Sequence, residues 1–144
     1  RIYDTTLSIR AYAVDCPELQ KRKNDPPSQP FAQEAKDYAT GLLYNKKVRV
    51  KLLSRDQYGR AVAKVETGLK PFPPLSRRDL SMEMAKRGYA TLYTGGGAQY
   101  DDNRATLEKA IGTAQKKRRG LWSLDDFKSP ADFKREQKQL SKQR

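Results

Sequence analysis

The sequence predicts a single α+β domain, and three observations carry that expectation. Strand-like runs come early, helical runs are interleaved with them, and an amphipathic helix closes the core. A small five-stranded barrel packed with helices fits this order, and so do other α+β arrangements. The 144 residues suit one domain. Residues 1–128 read as that domain and 129–144 as a basic helical tail.

Residues 6–14 alternate, Leu7, Ile9, Ala11 and Ala13 against Ser8, Arg10, Tyr12 and Val14, the period of a half-buried strand. Residues 19–30, "LQKRKNDPPSQP", are polar and proline-rich and read as a loop. Phe31, Ala35, Tyr38, Ala39, Leu42 and Leu43 then recur at helical spacing, with Asn45 suited to the exit. "KKVRVKLLS" and "GRAVAKVE" are β-prone and joined by "RDQYG", which predicts a hairpin. "LKPFPPL" is a rigid turn, and Ser76 or Asp79 can cap a short helix over 78–87 that stops at Gly88. "YATLY" is a short strand candidate and "TGGGAQ" a flexible loop. Residues 101–118 form a helix with the apolar stripe Leu107, Ala110, Ile111 and Ala114. Its last turn carries Lys116, Lys117 and Arg118, which suits the negative helix end. Ser129, Pro130 and Asp132 look like the start of a final, strongly charged helix.

Composition narrows the chemistry. Thirty basic residues against 17 acidic give a formal charge of +13, a field that favours DNA, RNA or an acidic membrane. Ordinary solubility is the plainer reading of the same surplus. Mean hydropathy is −0.95, so a compact core under a broad polar surface is expected. The lone cysteine, Cys16, excludes an internal disulfide. The absence of histidine excludes a Ser-His-Asp triad, a histidine general base and ordinary Cys/His zinc sites. Catalysis must then use carboxylates, Arg, Lys, Tyr or the thiol, and no histidine can activate Cys16 as a nucleophile. No apolar run reaches membrane-spanning length. A chain opening at Arg1 rather than Met, in strand-like sequence, predicts a leader or further segment upstream.

Two stretches group residues that can do chemistry. In "IRAYAVDCPELQ", Pro17 fixes its own φ and biases Cys16 towards an extended shape. Asp15 and Glu18 then stand three apart on a rigid turn. A hard cation takes several oxygens, and Asp15 with a neighbouring carbonyl supplies two. A second carboxylate held off the metal can act on a water as general base. An Asx-type turn with a surface glutamate is the other reading of this spacing. In "RDQYGRAVAKV", Gly59 suits a turn and Arg60 opens the next strand. A planar guanidinium can bind two oxygens of a phosphodiester and hold them more strongly as charge builds. A solvated hairpin arginine is the alternative. "TGGGAQ" has no P-loop form, since no Gly-Lys-Ser/Thr follows. Trp122 in "RRGLWS" reads as packing on a helix end rather than stacking on a base, and Tyr89, Tyr93 and Tyr100 as core or rim.

In order along residues 7–122, five segments resemble the staphylococcal nuclease (thermonuclease) family. "IRAYAVDCPE" is similar to its strand ending in Asp-Ala/Thr-Pro-Glu, and "PFAQEAKDYATGLLYNKKVRV" to its first helix and following strand. "RDQYGRAVAKV" resembles its Asp-x-Tyr-Gly-Arg hairpin, "LSMEMAKRGYATLY" its second helix, and "AQKKRRGLW" its third helix with a Gly-Leu-Trp ending. The long proline loop and the "SPADFKRE" tail resemble the fungal mitochondrial-type endonuclease branch. The resemblance implies an OB-fold five-stranded barrel with three helices, calcium-dependent hydrolysis of DNA or RNA, and a monomer. It implies that Asp15 and the backbone carbonyl of Cys16 ligate calcium, that Glu18 activates water, and that Arg10 and Arg60 bind phosphate. Tyr58 matches a tyrosine at the phosphate end of the nucleotide. Tyr93 is the nearest candidate, displaced in register, for one that stacks on the base. A mitochondrial or secreted location is implied as well, with no targeting segment in this sequence.

The sequence departs from the family at one place. An Asp-Gly-Asp-Thr segment on an earlier strand supplies a principal calcium ligand, and no such segment stands here. Asp4 in "YDTT" lies too near Arg10 to match it. The expectation is a first strand that continues upstream of Arg1. The alternative is a catalytically weak or inactive module that uses the same barrel and basic surface to hold nucleic acid or a protein partner.

Overall fold

The computed structural model describes residues 6–68 and 77–142. Asp4, "LKPFPPL" and Ser76 lie outside the described residues. The elements run β1 (Ile9–Ala11), β2 (Val14–Asp15), α1 (Ala32–Leu43), β3 (Arg49–Arg55), β4 (Ala61–Thr67), β5 (Arg78–Asp79), α2 (Leu80–Arg87), β6 (Thr91–Leu92), α3 (Arg104–Lys116), a 3₁₀ turn (Gly120–Ser123) and α4 (Pro130–Lys142).

The hairpin expected around "RDQYG" is the centre of the fold. β3 and β4 pair antiparallel from Arg49↔Glu66 to Arg55↔Ala61, with an irregularity between Leu52 and Ser54. The other edge of β4 is shared. β1 runs parallel to its start, with Arg10 opposite Val62, and β5 pairs antiparallel with its end. β2 and β6 form a second, two-stranded antiparallel sheet. The result is an α+β fold of the OB-like type with four α-helices among the described residues, α4 being the expected tail helix. Among the described residues the strands form these two sheets rather than one closed ring. No helix among them is long and apolar enough to cross a membrane.

The first strand differs from the sequence expectation. Instead of one alternating strand over 6–14, the chain makes two short strands with Ala13 left-handed between them (φ 61). Tyr12 still donates its N–H to Ala63 of β4, while Ala13 already accepts from Tyr93 beyond β6. The burial follows: Leu7 and Ile9 are 60% and 38% exposed, whereas Tyr12, Ala13 and Val14 are consecutively buried. A segment passing from one sheet to another is covered on both faces, so alternation cannot persist through it. The Tyr12 hydroxyl donates to Asp79 at 2.6 Å, and Ser81 Oγ donates to the Tyr12 carbonyl at 2.8 Å, which satisfies the polar groups this crossing buries.

The helices close over that crossing. Leu107, Ile111 and Ala114 of α3 are buried, with Ala110 packed at the edge of the same core, as the stripe predicted. Asp79 caps α2 by accepting from Met82 N–H. Gly88 ends it in the left-handed region (φ 76), and Gly120 (φ 52) crosses directly against it, its neighbour Leu121 donating to the Gly88 carbonyl. A Cβ on Gly88 would stand 2.1 Å from the Arg119 carbonyl oxygen, and one on Gly120 2.4 Å from that of Gly88. This contact gives the "GLW" segment its physical meaning. Trp122 then packs on the core and against Phe127, ring centroids 4.5 Å apart. Gly120→Ala combines this clash with positive-φ strain, and is expected to lower stability by about 2 kcal/mol or more, read as a shift in thermal midpoint.

Asp101 ties the loop before α3 to the sheet, meeting Lys51 of β3 at 2.5 Å and Lys64 of β4 at 3.4 Å. The hydrogen bond from Lys51 holds its carboxyl below the ordinary value against a smaller opposing effect of desolvation. A carboxyl lowered on folding stabilises above its unfolded pKa, and that stability is lost as pH falls through the folded value. Acid unfolding is therefore expected to be less steep below about pH 4 in Asp101→Asn than in wild type, as followed by circular dichroism.

Candidate active site

β2 delivers the acidic turn. Asp15 sits opposite Thr91 in the β2–β6 ladder, and Thr91 Oγ1 donates to its carbonyl at 3.3 Å. The chain then bends at buried Pro17. Glu18 is held beyond it by a residue that no motif singles out. Gln29, only 4% exposed, accepts the Glu18 N–H on its side-chain oxygen at 2.9 Å, and its own N–H donates to the Glu18 carbonyl at 2.8 Å. The two bonds clamp the ends of the proline loop together.

Cys16 lies between the two acids, half-buried against the core. Desolvation first, then the charges of Asp15 and Glu18, push its thiol up to about 12, so it is neutral near pH 7 and no nucleophile.

The arginines come from the other sheet. Arg10 lies on β1 with Val62 as its parallel partner, and Ala61 N–H donates to the Ser8 carbonyl. Standard sheet spacing therefore puts the Cα atoms of Arg10 and Arg60 roughly 8 Å apart on adjoining chains. The Arg10 guanidinium stacks on the Tyr93 ring at 3.9 Å, and among the described residues it has no ion-pair partner. Tyr93 Oη in turn donates to the Gly96 carbonyl. The proposed base-stacking ring is thus the platform of an arginine.

Arg60 is fixed within its own turn. Asp56 Oδ1 accepts the N–H groups of Tyr58 and Arg60, both at 2.9 Å, and Oδ2 accepts Arg60 Nε at 2.6 Å. Desolvation would raise the Asp56 carboxyl, but these bonds outweigh it and hold it below the ordinary range. Among the described residues the terminal nitrogens of Arg60 have no partner, which leaves that edge of the fork open. Tyr58 is 76% exposed beside it, with the guanidinium 5.5 Å from its ring. The i, i+2, i+4 pattern of an Asx turn in "DQYGR" carried the signal for Asp56 in the sequence.

The acidic pair has a further partner. Lys134 of α4 places its Nζ 2.8 Å from Glu18 Oε1 and 3.3 Å from Asp15 Oδ2. Burial alone would lower its pKa, but the bond to Glu18 and the charges of Asp15 and Glu18 raise it, so it is an ammonium at neutral pH. Asp15, Cys16 and Glu18 offer oxygens, the donor type a hard cation wants. Calcium takes six to eight of them, and no group of three or more His, Cys, Asp or Glu able to hold a metal occurs among the described residues. With Lys134 between the two carboxylates, the residues as they stand do not fit calcium.

Comparison with known proteins finds related sequences. The family model described as staphylococcal nuclease homologue matches residues 8–124. "Endonuclease Htp3" of Saprolegnia parasitica is 39% identical over 134 residues, 93% of this chain and 61% of its own length. "Probable endonuclease lcl3" of Penicillium rubens is 39% identical over 140 residues, 91% of this chain and 47% of its own. "Probable endonuclease LCL3" of Candida glabrata is 33% identical over 131 residues, 90% and 49%. The chain thus spans about half to three-fifths of these relatives.

Removing the Gln29 side chain leaves the Glu18 N–H in a partly buried position without its acceptor. Gln29→Ala is expected to destabilise by about 1–3 kcal/mol and to speed hydrogen exchange at the Glu18 amide; equal exchange in both proteins would show that the clamp does not hold the turn.

Proposed function

The chain belongs to the staphylococcal nuclease family, and from that premise we propose that it hydrolyses phosphodiester bonds of DNA or RNA, with Glu18 as proton acceptor and Arg10 and Arg60 as phosphate ligands. The observation that carries this reading is the strand end itself. Arg10, Asp15 and Glu18 lie within nine residues of one crossing strand, and β4 brings Arg60 alongside.

The chemistry follows from charge. The formal charge of +13 draws a polyanion to the surface, and flexible or single-stranded nucleic acid fits exposed groups such as Tyr58 most readily. Water attacking phosphorus must lose a proton, and a carboxylate on a clamped turn is placed to take it. Negative charge then grows on the equatorial oxygens. Arg60, its Nε already held by Asp56, presents a preset edge to two of them, and Arg10 does so from the Tyr93 platform. Groups fixed before reaction need no reorganisation when the charge appears. The wider catalytic reading includes calcium on Asp15 and the Cys16 carbonyl; it would act as Lewis acid and template when bound, and it requires Lys134 to leave.

One observation favours a second reading. With Lys134 hydrogen-bonded to Glu18, the module would bind nucleic acid without cutting it. Salt-sensitive binding with no cleavage under any divalent cation would support that reading against the first.

Glu18→Gln keeps the size and removes the base, and turnover is expected to fall at least about 100-fold with the thermal midpoint little changed. Arg60→Ala and Arg10→Ala are expected to lower kcat by about 10²–10³ each. Cleavage of a fluorogenic oligonucleotide measures both, and wild-type turnover in Glu18→Gln would remove Glu18 from the mechanism.

A further inference from the structure

We propose that the cationic cleft between α1, α2 and the 3₁₀ turn is a second contact for a nucleic-acid strand, holding backbone phosphates away from the candidate active site. The inference rests on the reading of the chain as acting on nucleic acid. None of Arg10, Asp15, Glu18 and Arg60 lines the cleft.

Three observations carry it. The first is a surplus of charge in one concave place. A cavity of about 410 Å³ is lined by four cations, Arg78, Lys86, Arg87 and Arg119, and by a single carboxylate, Glu83. Desolvation would raise the Glu83 carboxyl, but the bonds from Arg78 outweigh it and hold it below the ordinary range. Arg78 Nε stands 3.0 Å and Lys86 Nζ 3.4 Å from Glu83, so its one negative charge is already shared. Arg87 and Arg119 have no carboxylate partner among the described residues, and the cleft keeps a net positive charge.

The second is that the cleft is preset. The Tyr38 hydroxyl accepts from Arg78 at 3.1 Å and donates to Glu83 at 3.2 Å, and its ring meets that of Tyr89 edge-on at 5.8 Å. The Arg87 guanidinium lies over the Tyr38 ring, 4.9 Å from its centroid. Stacking of this kind restrains the fork and leaves its N–H edges to an anion. Arg119 donates to the Lys86 carbonyl at 3.1 Å, and the Gly88–Gly120 crossing fixes the wall beside it.

The third is that two of these cations are not used to close the helix. Gly88 N–H returns to the carbonyls of Ala85 and Met84, Tyr89 N–H returns to that of Met84, and Arg119 covers that of Lys86. The side chains of Lys86 and Arg87 are exposed and take no hydrogen bond in that closure. A planar guanidinium matches two phosphate oxygens and an ammonium adds a mobile point charge, while tyrosine rings suit the bases or sugars between phosphates. α1 starts just beyond Gln29, the clamp on Glu18, and carries Tyr38. A strand seated in the candidate site thus has a second cationic hold on a neighbouring element.

The test compares the full chain as wild type, Lys86→Gln/Arg87→Gln, Arg87→Lys, and Lys46→Gln/Lys47→Gln, a control that removes two exposed cations outside the cleft. Fluorescence anisotropy in chelator reads affinity for a single strand of about 20 nucleotides, longer than one OB-fold footprint. Each lost phosphate contact takes about 0.7 from the slope of log affinity against log salt. Lys86→Gln/Arg87→Gln is therefore expected to flatten that slope by about 1.4 and to bind about tenfold more weakly at about 0.1 M salt. Arg87→Lys keeps the charge and loses the planar fork, so an intermediate loss is expected, with the control close to wild type. Cleavage of a strand of about four nucleotides is expected to stay at the wild-type rate, and all four proteins to melt alike. Wild-type affinity and slope in Lys86→Gln/Arg87→Gln, an equal loss in the control, or an equal fall in short-strand cleavage would overturn the cleft as a separate contact. Cleft-dependent binding of phosphatidylglycerol vesicles without binding of the strand would overturn its assignment to nucleic acid. Weaker, flatter binding in Lys86→Gln/Arg87→Gln with no cleavage by any of the four keeps the cleft and removes the hydrolytic reading. Cleavage by all four with unchanged binding does the reverse.

Discussion

At Ala13 the backbone enters the left-handed region, and within two residues the chain exchanges β4 for β6 as its partner. The position of every proposed site group on this strand depends on that exchange. Arg10 stays with the β4 sheet, while Asp15 goes with β6. The crossing is buried on both faces, and the side chains that bury it, from α2 and α3, are the core of the domain. A non-glycine residue at positive φ costs of order 1–2 kcal/mol. Here the surrounding packing and the Tyr12–Asp79 and Ser81–Tyr12 hydrogen bonds hold it in place.

Around this crossing, positioning is done in pairs. Gln29 holds the backbone of Glu18, Asp56 holds the guanidinium of Arg60, and Tyr93 supports Arg10. In each case a neutral or oppositely charged partner restrains the backbone or the guanidinium of a candidate residue. That is the arrangement expected where a rigid scaffold must present charge to a ligand. The acidic pair is different, since its partner Lys134 comes from the tail helix, 119 residues from Asp15. Coulombic attraction is cheap to satisfy within the chain when no outside ion competes, and a strongly basic protein has ammonium groups in supply.

Much of the scaffold was legible because local patterns and short-range geometry fix it. The hairpin at "RDQYG", the α3 stripe, the stop of α2 at Gly88 and the tail helix from Ser129 each follow from residues within a turn or two of one another. Residues 6–14 read as one strand because the alternation of Leu7, Ile9 and Ala11 continues in the sequence through a point where the chain changes sheets. The exposed Leu7 and buried Val14 follow from which neighbours arrive, and the partner strands lie far along the chain, Ala61 opposite Ile9 and Leu92 opposite Val14. The candidate residues Arg10, Asp15, Cys16, Glu18, Tyr58, Arg60 and Tyr93 stand out in the sequence by type and motif alone. What each one touches does not.

By itself the sequence determined the kind of chemistry open to this protein. With no histidine and one cysteine, any acid–base work is left to carboxylates, Arg, Lys, Tyr or the thiol, and two short motifs each offer an arginine suited to a phosphate. It also determined the local frames, a glycine turn ahead of Arg60 and a proline-bent acidic turn, because these close within a few residues. Only the tertiary structure decided the rest: the hand-over at Ala13, the Gln29 clamp, the Gly88–Gly120 crossing, and the seating of Lys134 between Asp15 and Glu18. Each joins groups far apart along the chain, and no periodicity encodes such a pair. The hydrophobic burial of the core sets those distances, and the side-chain charges then settle which groups meet.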